Sequence, residues 1–219
     1  MSWVRDLFGG NGGGREEPRD RLLRRLRQDS RLSADALDAI ARVARELFVP
    51  AKHAEVAYED VALEIGPAAT ISAPSMVAEM LSVMRLRPGL SVLEIGGGSG
   101  YAAATLAVLG ARVITVEVQP ELADQARRNL AAAGFDEGVA VVTADGRGGW
   151  PEAAPYDRIL VSASVDAIPQ PWLDQLAPDG ILVYPEAGVT EDLLVRLTRT
   201  DGGLEREIMG RCRFVRMQL

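Results

Sequence analysis

The sequence predicts an α/β fold: a mostly parallel sheet with helices on both faces, an antiparallel edge at its C-terminal end, and extra helices in front of it. Three observations carry this. From Ser91 onward, short apolar runs alternate with helical patterns, as buried parallel strands covered on both faces do. The run Val92-Leu93-Glu94-Ile95-Gly96-Gly97-Gly98-Ser99-Gly100 joins one such strand to one such helix. Beyond Pro185 the pattern changes to alternating segments around an Asp201-Gly202-Gly203 turn, which reads as antiparallel edge strands.

Taken in order, residues 1–17 hold the run Gly9-Gly10-Asn11-Gly12-Gly13-Gly14 and are expected to form a flexible tail. From Pro18 to Leu47 the apolar positions Leu22, Leu23, Leu26, Leu37, Ile40, Val43 and Leu47 recur at helical spacing, with Ser33 as an N-cap before Ala34 and Pro50 as a stop. Residues 51–74 read as loop, followed by a helix from about Ser75 to Met84. Together 18–90 are expected to make an N-terminal helical region with a covering loop, and 91–219 the ligand-binding α/β domain. In the latter the strands are expected at Ser91–Ile95, Arg112–Glu117, Val139–Thr143, Arg158–Ser162 and Gly180–Pro185. Helices are expected at Tyr101–Leu109, Pro120–Ala133 and about Pro171–Leu176. Leu193–Arg199, Leu204–Met209 and Arg213–Met217 complete the antiparallel edge.

Composition narrows the function. Among 219 residues, 47% hydrophobic and 25% charged is the balance of a globular domain with a real core. A net charge of −7 argues against a nucleic-acid partner, which needs clustered positive charge. No apolar run approaches the roughly 18 residues of a membrane span, and nothing at the N-terminus reads as a signal peptide, so a cytoplasmic protein is expected. Cys212 and His53 are each alone, which leaves no disulfide, no metal cluster and no ready catalytic triad. Cys212 is expected to pack in a strand, and His53 to be solvated or structural.

The glycine run has the strand-before, helix-after context of a cofactor loop. Gly96, Gly98 and Gly100 allow a tight turn and close approach of backbone to ligand. A dinucleotide fingerprint would want glycine at 101, where Tyr101 stands. The spacing instead resembles motif I of the Rossmann-like class I methyltransferases, which bind S-adenosylmethionine. Glu117, ending the next strand, can accept both ribose hydroxyls. Asp145, in Ala144-Asp145-Gly146 after the third strand, can accept from the adenine amino group.

Upstream of that loop come Phe48-Val49-Pro50, Ala57-Tyr58-Glu59-Asp60, Ile65-Gly66 and Ala69-Thr70-Ile71-Ser72-Ala73-Pro74. Downstream lie Ala154-Pro155-Tyr156-Asp157, Ile168-Pro169, Gln175-Leu176 and Arg213-Phe214-Val215. In that order the segments resemble the protein-L-isoaspartate O-methyltransferase family over roughly residues 35 to 219. The resemblance implies methyl esterification of isoaspartyl carboxyls in damaged proteins or peptides; from charge and hydropathy no nucleic-acid or membrane partner is expected, and a monomer is expected. It implies that Thr70, Ile71 and Ser72 close over the donor, with Ser72 beside the transferred methyl as the catalytic residue. Gly96, Gly97, Gly98, Ser99, Gly100, Glu117, Asp145 and Gly146 would hold the rest of the donor, and no metal is implied.

The chemistry suits so sparse an inventory. A carboxyl of ordinary pKa about 3.9 is already ionised at neutral pH, so the acceptor needs no general base, and Ser72 need only hold it by a hydrogen bond. An N-cap of the following helix is the other role open to Ser72. The departures from the family pattern fall on the acceptor side. Pro67 and Ala68 stand where an aromatic and a Gln are usual, Ser75 follows Pro74, and Arg216 replaces the proline of a terminal Val-Pro-Leu. Two other readings therefore stay open: a related enzyme acting on an aspartate of a specific peptide, and a catalytically silent donor-binding homologue.

Overall fold

A computed structural model describes residues 16–218; the Gly-rich tail lies almost wholly outside the described residues. Among the described residues two short helices come first, α1 (Pro18–Leu26) and α2 (Ala34–Arg42). The helical pattern expected from Pro18 to Leu47 is thus interrupted at Arg27–Ser33, ahead of the expected cap, and ends in a 3₁₀ turn at Arg45–Phe48. Ser33 caps α2 as expected, its hydroxyl accepting from the Ala36 N–H at 3.2 Å. Residues 51–74 are not simply loop. A 3₁₀ helix at Ala51–Val56 leads into an antiparallel hairpin of β1 (Leu63–Gly66) and β2 (Ala69–Ile71).

Helix α3 (Pro74–Val83) then delivers the chain to the main sheet. The parallel strands are β3 (Ser91–Ile95), β4 (Arg112–Glu117), β5 (Val139–Thr143), β6 (Tyr156–Val161) and β7 (Leu176–Glu186). Between them run α4 (Tyr101–Val108), α5 (Pro120–Ala132) and the single turn α6 (Gln170–Asp174). Strands β8 (Asp192–Thr200) and β9 (Gly203–Cys212) extend the sheet antiparallel, giving the order β5-β4-β3-β6-β7-β8-β9. The expected last strand, Arg213–Met217, does not form. Among the described residues those after Cys212 make one isolated bridge, Ser164 to Arg216, because the segment leaves the β9 edge to cross the loop after β6.

Side-chain alternation sorts the core into two layers. Val92, Leu160 and Val183 face the layer built with α1–α4. Leu93, Ile95, Ile159 and Val161 face the other, packed around the fully buried Trp172 and Tyr184. Cys212 is buried in β9, and burial pushes its thiol up to about 12, as befits a packing residue. The strand order reverses at β3 and β6, so their carboxyl ends open a crevice where ligands bind in such sheets.

Candidate active site

The crevice is built by the turn after β3. Gly96, Gly98 and Gly100 have φ of +87°, +53° and +88°, a left-handed alternation that residues with a Cβ rarely adopt. Gly97 needs no unusual φ but has no room, since a Cβ there would overlap the Thr115 hydroxyl. The loop is tied down from β4. Gly96 and Gly97 N–H groups donate to the Val116 carbonyl at 2.8 and 3.1 Å. Gly98 N–H donates to Glu117 Oε2 at 2.8 Å, and the other carboxylate oxygen of Glu117 accepts from Gln119 N–H at 2.9 Å. Glu117 is thereby oriented by two backbone donors at the lip of the crevice, 6% exposed.

Two adjoining clefts share Thr70, Gly96, Gly98 and Ser162. The outer one reaches Glu117 and Gly146, and is bordered by the segment from Val215 to Gln218. The inner one holds Ile71, Ser72, Gly97 and Ser99 above Val77, Tyr101 and Glu94. Thus nine of the sequence-predicted positions converge. Gly100 does not line either cleft; it starts α4 and packs against Leu130 and Ala126. Asp145 is also outside both linings. Its carboxylate is clasped by Arg147 at 2.5–3.0 Å, which holds it below the usual carboxylate range. Gly146 is required beside it, because a Cβ would sit 2.5 Å from Ile95 Cγ2. The Trp172 indole N–H, donating to the Gly146 carbonyl at 2.8 Å, anchors that turn.

Ser72 is not the cap of α3. The cap position is Ala73, Pro74 begins the helix, and the Ser75 N–H is satisfied by Asp60 Oδ1 at 2.9 Å. Tyr101, at the position a dinucleotide site gives to glycine, serves packing. Its ring lies 5.0 Å beneath the guanidinium of the fully buried Arg45, which donates to the carbonyls of Ala57 and Val61 at 2.9 and 3.3 Å. This braces the segment leading into the β1–β2 hairpin against α4. His53 lies in the 3₁₀ helix at Ala51–Val56, with its Nε2 buried and unpartnered, and lines neither cleft.

Sequence reasoning passed over Glu94. The signal was an acid at an inward position of an otherwise apolar strand. Glu94 is 0% exposed, its Oε2 has no hydrogen-bond partner, and its Oε1 lies 3.5 Å from the Ser162 hydroxyl. Burial, reinforced by the charge of Glu117 and only partly offset by the Thr115 and Ser162 hydroxyls, pushes its carboxyl up to about 8. An orphaned buried carboxyl oxygen beside a glycine cradle suits a cationic ligand, and S-adenosylmethionine carries a sulfonium and an α-ammonium group. The residues present therefore fit that donor: Glu94 as counter-charge, Glu117 as hydroxyl acceptor, and the Gly96–Gly100 turn as close-approach backbone.

This strand order and crevice define the class, an S-adenosylmethionine-dependent methyltransferase of Rossmann-like fold. The family model for Protein-L-isoaspartate(D-aspartate) O-methyltransferase (PCMT) matches residues 17–218, and the chain belongs to that family. Among relatives, the Protein-L-isoaspartate O-methyltransferase of Gloeobacter violaceus is 49% identical over 180 residues, covering 82% of this chain and 87% of its own. That of Hyperthermus butylicus is 44% identical over 211 residues, covering 91% and 88%. Of solved structures, a protein-L-isoaspartate O-methyltransferase at 29% identity superposes with a TM-score of 0.84 over 92% of this chain, which spans 66% of that longer chain. A Plasmodium falciparum structure titled as a putative member in complex with S-adenosyl-L-homocysteine shares the fold at 23% identity and TM-score 0.83, covering 93% of this chain and 99% of that one.

Glu117→Ala is expected to weaken S-adenosylmethionine binding by about 1.5–3 kcal/mol, the scale of hydrogen bonds to a charged group. The substitution also strips the Gly98 and Gln119 N–H groups of their acceptor. Isothermal titration of the folded variant reads this directly; unchanged affinity would remove Glu117 from the donor site.

Proposed function

We propose that this protein transfers a methyl group from S-adenosylmethionine to the free carboxyl of L-isoaspartyl residues in damaged proteins or peptides. The observation that carries the reading is the placement of Ser72, released from helix capping, in the inner cleft with the glycine turn and Glu94. The donor supplies an electrophilic methyl on a positive sulfur. The chain has to bind both partners, align the acceptor oxygen with that methyl, and exclude water. Thr70 and Ile71, on β2, cover the glycine turn; the Ser72 hydroxyl donates to the acceptor carboxylate. Glu94 and Glu117 set a negative field on the donor side, while the apolar side chains of Val77 and Met80 dry the inner cleft. Thr70, Ile71, Ser72, Gly96, Gly97, Gly98, Ser99, Glu117 and Gly146 form the lining of the binding set, while Gly100 shapes the turn from behind and Asp145, on the rim, is read as the acceptor for the adenine amino group. No proton has to leave an ionised carboxylate, which accounts for a site without a histidine.

Among the described residues no helix is long and apolar enough to cross a membrane, and we read the protein as a cytoplasmic monomer. The test is incubation with methyl-labelled S-adenosylmethionine and matched peptides carrying isoaspartate or ordinary aspartate. Label is expected on the isoaspartyl peptide alone. Transfer to the aspartyl peptide, or donor binding without transfer to either, would overturn the assignment.

A further inference from the structure

We propose that Arg216 selects isoaspartyl sites that carry an acidic residue close by in sequence, its guanidinium binding that neighbour's carboxylate at the mouth of the outer cleft; the proposal rests on the acceptor reading above. Among the described residues lining the two clefts, Arg216 is the one cation, against the acids Glu94 and Glu117. An anionic acceptor approaching a chain of net charge −7 meets net repulsion, and among the cleft-lining side chains Arg216 is the one that attracts it.

The geometry leaves the guanidinium available. Its ion partner is Asp166, at 2.8 Å, and the two side chains are 54% and 91% exposed. A pair so solvated is weak and readily exchanged for another carboxylate. Its other contact, to the Gly188 carbonyl, is a long 3.4 Å. The backbone around it is held: the Val215 carbonyl accepts from Ser164 N–H at 2.9 Å, and the Met217 N–H donates to the Ser164 carbonyl at 3.0 Å. Those bonds fix an extended segment whose central residue, Arg216, keeps its own N–H and carbonyl on the opposite side. An extended peptide can align along such an edge. The reacting carboxylate belongs with Ser72 in the inner cleft, so the carboxylate at the mouth comes from a flanking residue.

The experiment compares isoaspartyl peptides that differ only by Gln→Glu at each of the two positions on either side of the isoaspartate. Both kcat/KM and affinity for the protein saturated with S-adenosylhomocysteine are measured. In the wild type, Glu at one of these positions is expected to raise kcat/KM about 3- to 5-fold through KM, the range of a rim ion pair, and the gain should shrink with salt. The Glu/Gln ratio is expected to fall to about one in Arg216→Gln, to persist in Arg216→Lys, and to widen in Asp166→Asn, which removes the competing carboxylate. No preference at any position in the wild type, or a ratio unchanged in Arg216→Gln, would overturn the proposal. A uniform loss across all peptides would also count against it, since that is what loosening the C-terminal segment alone would do. Failure of the acceptor reading shows itself separately, as absence of turnover on every isoaspartyl peptide; the affinities still decide the role of Arg216.

Discussion

Affinity for S-adenosylmethionine is expected to rise roughly 10- to 100-fold from pH 6 to pH 8 and then level off, because binding has to draw a proton from Glu94. Burial raises this carboxyl to about 8, so the free protein holds it protonated at neutral pH. A cation seated against the orphaned Oε2 favours the carboxylate and lowers the pKa in the complex. Between the two pKa values each unit of falling pH then costs up to about tenfold in affinity. Isothermal titration in buffers of different ionisation enthalpy would count the released proton directly. Glu94→Gln should abolish the pH dependence and bind the donor weakly throughout.

The same residue has the opposite effect on the stability of the donor-free fold. Its pKa when folded lies above its ordinary value of 4.5, so the folded chain keeps a proton that the unfolded chain gives up. Stability contributed by the neutral carboxyl is complete below about pH 4.5 and is lost as pH rises through about 8. A glutamine of the same shape is neutral throughout. Glu94→Gln should therefore be more stable than wild type at pH 8, by on the order of 3 kcal/mol, while binding donor worse. Pairing a higher Tm with lost affinity is the signature of a functional buried charge. A pH-independent donor affinity in the wild type would show that Glu94 does not meet the cation.

The central strands were legible because burial on both faces of a parallel sheet leaves only short apolar runs, and β3, β4 and β5 match the residues expected from the sequence. The hairpin β1–β2 was not legible. Of its strand residues only Leu63 and Ile71 are buried, and its turn uses Ala68 at φ +49° instead of the glycine that would have announced it. At the C-terminal end, alternation suggested a strand over 213–217, yet alternation alone does not supply a partner; β8 already pairs with β9, and the segment leaves the edge. Glu117 and the glycine turn line the crevice where the sequence puts them, because both lie at strand ends. The buried, unpartnered state of Glu94 was hidden because it comes from what surrounds the residue in three dimensions, and the tie between Asp145 and Arg147 for the same reason. The exclusion of Ser72 from capping likewise depends on Asp60, which reaches the start of α3 from twelve residues upstream of Ser72.

Ser72→Ala is expected to lower kcat on the order of 10²-fold while leaving donor affinity nearly unchanged, comparable to removing one positioned oxyanion donor. The substitution takes away no cap, because Ala73 and Asp60 already complete the start of α3. A loss of activity therefore cannot be ascribed to unwinding that helix, and circular dichroism with a thermal melt should match the wild type. His53→Ala, in contrast, is expected to cost little beyond stability, since its ring lines neither cleft. With donor saturating, so that Glu94 is already ionised, kcat should be flat from about pH 6 to 8, without a limb in the ordinary histidine range. A rate that climbs through pH 6.5 in the wild type and loses that climb in His53→Ala would mean that the acceptor surrenders a proton at neutral pH. Such an acceptor is not a carboxylate, and the isoaspartyl assignment would fall with it. If the profile is flat and Ser72→Ala loses only kcat, the site works by holding an acceptor that arrives already ionised.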